Sequence, residues 1–442
     1  MRLDNLTFKG GVHVKDQKDF TKDKSIEKAL EPSIVKIPLH QHVGAPCKAL
    51  VKKGDTVKVG QKIGDSEASL TVPVHSSVSG EVKGIEKLYT PDGYKVDCVI
   101  IESDGLNELD ESVKPKGNLE NLTKEELLDI VREAGIAGLG GAAFPLHTKL
   151  STSLEAGVDT AILNGAECEP YLTSDHRMML EHPEKVIYGL EVIMKYLGLN
   201  NGYIAVEDNK ADAINTLKET LRDKAQIQVA SLKTKFPQGD SYRVVNSVTG
   251  RIVPNGGRTK DVKTFVTNVC TATALTDAIV DGKPLYERVV TVTGNGVKEP
   301  KNLLVKIGTS IGDLIEQCGG FNGNPGKIIA GGPMTGFTQF TLDTPITKGV
   351  TGIIVLTEAE AAPSKTTPCI KCGKCVEVCP AFLQPLTISA YSLKDRYENA
   401  EAYNALACIE CGSCSYICPA KRPLTESIAH AKRQITARRK KS

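Results

Sequence analysis

The tightest constraint on this chain is a pair of matched cysteine runs near its C-terminus. They read Cys369-x2-Cys372-x2-Cys375-x3-Cys379-Pro380 and Cys408-x2-Cys411-x2-Cys414-x3-Cys418-Pro419, and they take eight of the thirteen cysteines. The short x2 steps let three thiolates wrap one cubane from a single turn, while the fourth cysteine starts the next element and reaches the other cluster. The spacing therefore predicts one [4Fe-4S] cluster on Cys369, Cys372, Cys375 and Cys418, and a second on Cys408, Cys411, Cys414 and Cys379. The competing readings are a pair of zinc sites or a disulfide scaffold. Zinc sites usually show C-x2-C knuckles parted by a spacer rather than an unbroken run of four. Clusters of this kind move single electrons.

The rest of the composition narrows the setting. A length of 442 residues allows about three domains. Hydrophobic residues make up 40%, enough for real cores, and a net charge of +2 leaves no global field that calls for nucleic acid. The N-terminus lacks the apolar stretch of a signal peptide, and no apolar run approaches the ~18 residues that span a bilayer. A soluble protein in a reducing cytoplasm is the expectation. Of Cys47, Cys98, Cys168, Cys270 and Cys318, most read as small buried hydrophobes. The one charge block runs from Lys432 to Lys441. It reads either as a solvated, frayed terminus or as a contact for an anionic membrane or acidic partner, at about 1 kcal/mol per basic residue near lipid.

Hydrophobic patterning divides the chain into a multidomain α/β protein. Residues 1–115 are β-rich, with apolar–polar alternation around glycine turns in Val51–Gly64 and again in Pro73–Lys83. This part resembles the barrel-sandwich hybrid of lipoyl and biotinyl carriers. The tip that carries a modified lysine in those carriers reads Glu67-Ala68-Ser69-Leu70-Thr71 here, so docking or scaffolding is expected instead. His40-Gln41-His42 reads as ordinary loop or strand. Residues 116–286 alternate strands and helices, opening with a capping box at Thr123 and Glu126, and predict a doubly wound α/β domain. Residues 287–357 suit a small β-grasp domain, residues 358–424 the two-cluster ferredoxin-like helical domain, and residues 425–442 a basic tail.

A second informative stretch is Gly138-Leu139-Gly140-Gly141-Ala142-Ala143-Phe144-Pro145, with Lys149 shortly after. Such glycines let backbone N–H groups approach a phosphate, although the strand–GxGxxG–helix context of a Rossmann fingerprint is missing. Asn164-Gly165-Ala166-Glu167-Cys168-Glu169-Pro170 follows a predicted strand, where open α/β sheets bind ligands. With Thr267-Asn268-Val269-Cys270-Thr271, these segments resemble the flavin- and NADH-binding 51-kDa subunit of respiratory complex I. The phrases IPLHQHVGAPCKALVKKGDTVKVGQKIG, GLGGAAFPLHTKL, ILNGAECEPYLTSDHRMM and KPLYERVVTVTG, in this domain order, resemble more closely the C subunits of Rnf complexes. That resemblance covers nearly the whole chain, to about Arg422.

The resemblance implies a peripheral subunit on the cytoplasmic side of a membrane complex that couples ferredoxin–NAD electron transfer to Na+ or H+ translocation. It implies non-covalent FMN, NAD(H) and the two [4Fe-4S] clusters as cofactors. Its implied partners are the other Rnf subunits, with an iron-sulfur subunit giving or taking electrons and ferredoxin acting indirectly. Gly138, Gly140, Gly141 and Lys149 would hold the FMN phosphate, with Thr271 nearby. Asn164 and Asn268 would hydrogen-bond the isoalloxazine, and Glu167 would flank the site. Phe144 would stack on the nucleotide and Glu169 would contact it, the two carrying the catalytic role. Gly239 and Asp240 lie in Phe236–Tyr242, which resembles a PQGGEKQ-like loop of the family without its second glycine and glutamate. Ala166 and Cys270 also depart from the complex I pattern, where aspartate and glutamate stand. NADH yields two electrons as hydride, clusters take one at a time, and a flavin handles both. Two other readings stay open: a flavin-less iron-sulfur relay, and an NADH dehydrogenase of this type serving a soluble reductase.

Overall fold

In the computed structural model, residues 3–222 and 224–439 are described. The centre is an all-parallel four-stranded sheet. Its strands lie in the order Ile227–Leu232, Gly202–Glu207, Thr160–Gly165, Thr264–Asn268. Ala161, Ile162 and Leu163 are fully buried in succession, as expected of a strand covered on both faces. Helices Pro183–Leu197, Ala211–Thr220, Ser241–Thr249 and Val269–Val280 follow the strands in chain order. Strand order reverses beside Thr160–Gly165, which opens a crevice at the carboxyl ends of that strand and Thr264–Asn268. Asn164 and Asn268 are register partners at this point. The helix Lys124–Glu133 starts as its sequence predicts: Thr123 Oγ1 accepts from Glu126 N at 3.2 Å, and the Glu126 carboxylate accepts from Thr123 N at 2.8 Å.

The barrel-sandwich unit is built from two small antiparallel sheets. One joins Ile34–Pro38, Lys95–Ser103, Gly80–Tyr89 and Thr56–Val57, and the other Lys48–Ala49, Lys62–Asp65 and Val74–His75. The tip Glu67–Ser69 is exposed, and Leu70 folds back so that its carbonyl accepts from Ala45 N at 2.9 Å. Gly44 has φ +120°, and a Cβ there would lie 2.0 Å from Leu70 O, so only glycine lets this turn close.

Two stretches at the edges of these units have contacts of their own. Residues 3–28 are not strands of either barrel-sandwich sheet. Leu6 N donates to Ser231 O at 3.0 Å, Val12 exchanges hydrogen bonds with Phe236, and Ile26–Lys28 pairs parallel with the strand Lys301–Lys306. The segment thus straps the α/β unit to the β-grasp sheet. Its charged stretch Lys15–Lys28 lacks an alternation long enough to mark a strand of its own. Residues 425–439 are likewise not a frayed tail. They form the helix Leu424–Arg439, which buries Ile428, Ala431 and Ile435 against Ile388, Tyr397 and Ala400 of the cluster unit. Lys432 pairs with Glu410 at 2.6 Å and Arg438 with Glu398, while Lys440 and Lys441 lie outside the described residues. The β-grasp sheet has six strands, Ile26–Lys28 among them. No described helix is long and apolar enough to cross a membrane.

Candidate functional site

A cavity of about 640 Å³ opens at the point where strand order reverses, within the range of small-molecule and cofactor sites. The α/β unit supplies Gly140, Gly141, Asn164, Glu167, Glu169, Gly239, Asp240 and Asn268. The remaining walls come from the other three units: the turn His40–Val43, the β-grasp loops around Gly331–Phe337 and Thr347–Thr351, and Ile409 with Cys411 of the cluster unit. Sequence reading did not assign these three segments to one cavity, since they meet only after the units assemble. Val43 N donates to Ala143 O at 3.0 Å and fastens two of the walls together.

Gly138, Phe144, Lys149 and Thr271 do not line the cavity, which departs from the direct contacts implied for them. Three of them build the glycine-rich loop. Gly138 N donates to Phe144 O at 2.9 Å, Ala143 N donates to Gly138 O at 3.1 Å, and Thr271 Oγ1 accepts from Leu139 N at 2.9 Å. The result is a loop whose rim is open at Gly141, where φ is +105° and a Cβ would meet no atom within 4 Å. Lys149 lies on the helix Leu146–Glu155, with Nζ 5.6 Å from the centroid of Phe265. Burial, then the charge of Arg258, lowers its pKa to about 8.

The polar groups that do face the cavity are held by protein partners. Asn164 Nδ2 donates to Gly239 O at 2.7 Å, and its Oδ1 accepts from Ala166 N at 3.2 Å. Asn268 Nδ2 donates to Asp175 Oδ2 at 2.6 Å, and its Oδ1 accepts from Cys270 N at 2.9 Å. Asp175 also accepts from the Cys270 thiol at 3.0 Å. Its role was not read from the sequence, where it stood as one acid in a polar helix start. Glu167 serves first as a helix cap, accepting from Asp175 N at 2.7 Å and His176 N at 3.4 Å, where Thr173 offers no side-chain cap. Burial raises its pKa and the Lys18 ammonium at 3.7 Å opposes that rise.

Glu169 ties the α/β unit to the β-grasp loop. It accepts from Met334 N at 3.0 Å and from Thr335 Oγ1, and burial raises its pKa. A Cβ at Gly332 would sit 2.2 Å from Glu169 Oε2, so this close approach needs glycine. Asp240 caps the helix Ser241–Thr249, accepting from Tyr242 N at 3.1 Å and Arg243 N at 3.2 Å. Arg243 lies 3.6 Å from Asp240 and donates to Pro380 O at 2.6 Å. One side chain thereby links the cavity wall to the residue after Cys379.

The eight run cysteines surround two small pockets. Cys369, Cys372, Cys375 and Cys418 line one, and Cys379, Cys408, Cys411 and Cys414 line the other. Each fourth cysteine has crossed to the opposite run. Burial pushes the thiols of Cys408 and Cys414 up to about 12 and about 11. Thiols buried in this way would ionise only with a positive charge beside them, which a cluster's iron would supply. Among the described residues no three His, Cys, Asp or Glu side chains converge as ligands of a single metal ion. The chemistry of the donor set fits cubane clusters, and the size and open glycine rim of the cavity fit a flavin nucleotide. Ile409 and Cys411 line both the large cavity and the second cysteine pocket.

Comparison with known proteins defines the class first. Residues 6–106 match the RnfC barrel sandwich hybrid domain, residues 131–277 the Nuo51 FMN-binding domain, residues 289–338 the SLBB domain and residues 364–419 the 4Fe-4S dicluster domain. The chain is 47% identical, over all of both chains, to the C subunit of the Na(+)-translocating ferredoxin:NAD(+) oxidoreductase complex of Acetobacterium woodii. It is 47% identical to the C subunit of the proton-translocating ferredoxin:NAD(+) oxidoreductase complex of Clostridium ljungdahlii, over 98% of this chain and 94% of that one. Identity to the C subunit of the ion-translocating oxidoreductase complex of Rhodobacter capsulatus is 37%, over 99% and 84%. The chain belongs to the family of Rnf-type oxidoreductase complex C subunits.

Proposed function

We propose that this chain is the NAD(H)-exchanging electron-transfer subunit of an ion-translocating ferredoxin:NAD oxidoreductase complex. It sits peripherally at the cytoplasmic side of the membrane beside the other subunits, one of them an iron-sulfur partner. The relatives' names supply the overall reaction. The observation that carries the reading for this chain is Cys411, shared between the nucleotide-sized cavity and one four-cysteine pocket. The working parts are a barrel-sandwich unit, an FMN unit, a β-grasp unit and a two-cluster unit. The last includes the helix Leu424–Arg439.

Bound FMN would exchange a hydride with a nicotinamide and single electrons with [4Fe-4S] clusters held by the two cysteine sets. The protein's part is positioning. Gly140 and Gly141 present open backbone to the flavin. Asn164 and Asn268, fixed by Gly239 O and Asp175, hold amide groups at the carboxyl ends of neighbouring strands to orient its ring. Glu169 stands where the nucleotide passes between the α/β and β-grasp walls. Gly138, Phe144 and Thr271 support the loop, and Lys149 supplies positive charge behind it. Ile409 and Cys411, which line both the cavity and the second cysteine pocket, would carry electrons between them.

The test is anaerobic purification with assays of iron, sulfide and FMN, followed by NADH titration under absorbance and EPR. Bound FMN bleached by NADH, with signals from two clusters, is the expected result. Two clusters without flavin or NADH response would make the chain a relay and remove the cavity assignments.

A further inference from the structure

The two cysteine pockets face different surroundings, and the outer one carries a surface that the proposed chemistry has not used. Cys369 and Cys372 are exposed, whereas Cys408 and Cys411 are half-buried against the rest of the molecule. Between the two exposed cysteines stands Ile370, 68% exposed. Thr367 N donates to Ala420 O at 3.0 Å and Thr366 Oγ1 to Lys421 O at 3.1 Å, so the first run lies alongside residues 420–422. That packing brings Lys371, Arg422 and Ile370 to the lining of one cysteine pocket, with the exposed Lys374 and Lys421 beside them in the same two segments. Among the described residues none of these four cations has a carboxylate within 4.0 Å. At the other end of the unit, Lys432 and Arg438 are matched to Glu410 and Glu398. The nearby acids are Glu377, in the same short helix as Lys374, and Glu426, which accepts from Ser415 Oγ at 3.3 Å. With a net charge of only +2 for the whole chain, the patch is a local concentration and not a share of a basic surface.

We infer that this face docks an acidic one-electron carrier protein, with Ile370 as the apolar centre and Lys371, Lys374, Lys421 and Arg422 as the rim. An apolar centre inside a charged rim is the general anatomy of a transient protein interface. Unpaired like charges around it steer an oppositely charged partner into register. Electron tunnelling falls steeply with distance, so a carrier seated on exposed Cys369 and Cys372 exchanges electrons with the outer cluster while the inner pocket faces the nucleotide cavity. The inference rests on the two-cluster part of the proposed function and not on its flavin part.

The experiment uses the full chain, assembled anaerobically and reduced with dithionite, and a small acidic [2Fe-2S] ferredoxin as the probe. The dissociation constant is measured by calorimetry across ionic strength for the native chain, for K371E/K374E/K421E, and for a control triple K48E/K52E/K53E on the exposed barrel-sandwich surface. The patch variant should bind about tenfold more weakly at low salt and lose most of its salt dependence, with the control unchanged. Carbodiimide cross-links to the probe should map to Lys371, Lys374 or Lys421. Should the triple variant fail to keep its iron and sulfide, K374Q/K421Q gives the same test with a smaller shift. Native-like binding by the patch variant, or equal weakening by the control, would overturn the inference. So would loss of binding to phosphatidylglycerol vesicles with carrier binding intact, which would make the patch a membrane contact. None of these readouts uses NADH or FMN, so failure of the flavin assignment is seen separately.

Discussion

The two cysteine runs have the same spacing and the same terminal proline, yet the fold gives them different neighbours. The pocket of Cys379, Cys408, Cys411 and Cys414 shares Ile409 and Cys411 with the nucleotide-sized cavity. The pocket of Cys369, Cys372, Cys375 and Cys418 opens to solvent beside unpaired cations. Identical local chemistry thus becomes an inner and an outer station through packing alone. The packing devices are specific: Arg243 reaching Pro380 O, Gly11 N donating to Val378 O at 2.8 Å, and Gly412 set against Met334 O. A one-residue change at any of them alters the relation between stations without touching a ligand.

The largest effect that would break this contrast comes from the ligands. Cys411→Ser should abolish electron delivery to an external one-electron acceptor while NADH still bleaches the flavin. Cys372→Ser should leave the inner cluster reducible by NADH. Equal behaviour of the two variants in stopped-flow and EPR would erase the distinction between inner and outer.

Next comes the wall shared by the cavity and the β-grasp unit. Gly332→Val places side-chain atoms where the Glu169 carboxylate lies and should separate it from Met334 N and Thr335. We expect a loss of about 2 kcal/mol, the scale of hydrogen bonds to a charged group, together with reduced FMN content at unchanged iron content. Denaturant melts and flavin assays check it, and a variant with native stability and full flavin would count against this wall.

A smaller effect concerns acid. His75 is buried and its pKa is lowered to about 3, first by burial and then by the Lys348 charge, while the unfolded chain titrates near 6.5. The unfolded state therefore binds more protons between these values, so stability is complete above 6.5 and falls as pH drops toward 3. By pH 5 the loss should be about 2 kcal/mol from this group, read as faster hydrogen exchange around Pro73–Ser77. His75→Gln should remove this group's share of that dependence and leave the shares of His42 and His147, whose pKa values burial lowers to about 4. The cluster unit, which contains no buried histidine among its described residues, should not follow the same curve.

The smallest expected effect is at the linking side chain. Arg243→Ala removes a charge-assisted hydrogen bond to Pro380 O and should slow electron passage between the cavity and the inner cluster severalfold without changing NADH affinity. A rise in KM with unchanged turnover would place Arg243 in nucleotide binding instead.

How much of this was legible beforehand follows the range of each signal. The crossed cysteine grouping was readable because the spacing encodes it within about ten residues per run. The central strands were readable from continuous apolar runs, and the helix at Thr123 from its capping box. The strapping contacts of residues 3–28 were not legible because a strap bonds to distant elements, Ser231, Phe236 and Lys301–Lys306, and carries no period of its own. The 425–439 helix hid behind its charges, its apolar positions Ile428, Ala431 and Ile435 being spaced by helical turns within a basic stretch. In the cavity, sequence pointed to Asn164 and Asn268. It gave no cavity role to Asp175, which fixes one of them, or to the His40–Val43 turn, although both lie in family-like phrases, because their contacts form only on folding. The roles expected of Phe144 and Lys149 assumed direct contact. Loop closure puts the first outside the lining, and the helix Leu146–Glu155 puts the second over Phe265.

The most direct test is rapid-freeze-quench EPR of the anaerobically assembled chain mixed with NADH, with Cys408→Ser and Cys372→Ser to assign the two signals. The signal lost in Cys408→Ser should be the first to appear in the native chain, and the signal lost in Cys372→Ser should follow it. Appearance of the Cys372-dependent signal first, or of both signals with no NADH-reducible flavin, would contradict it.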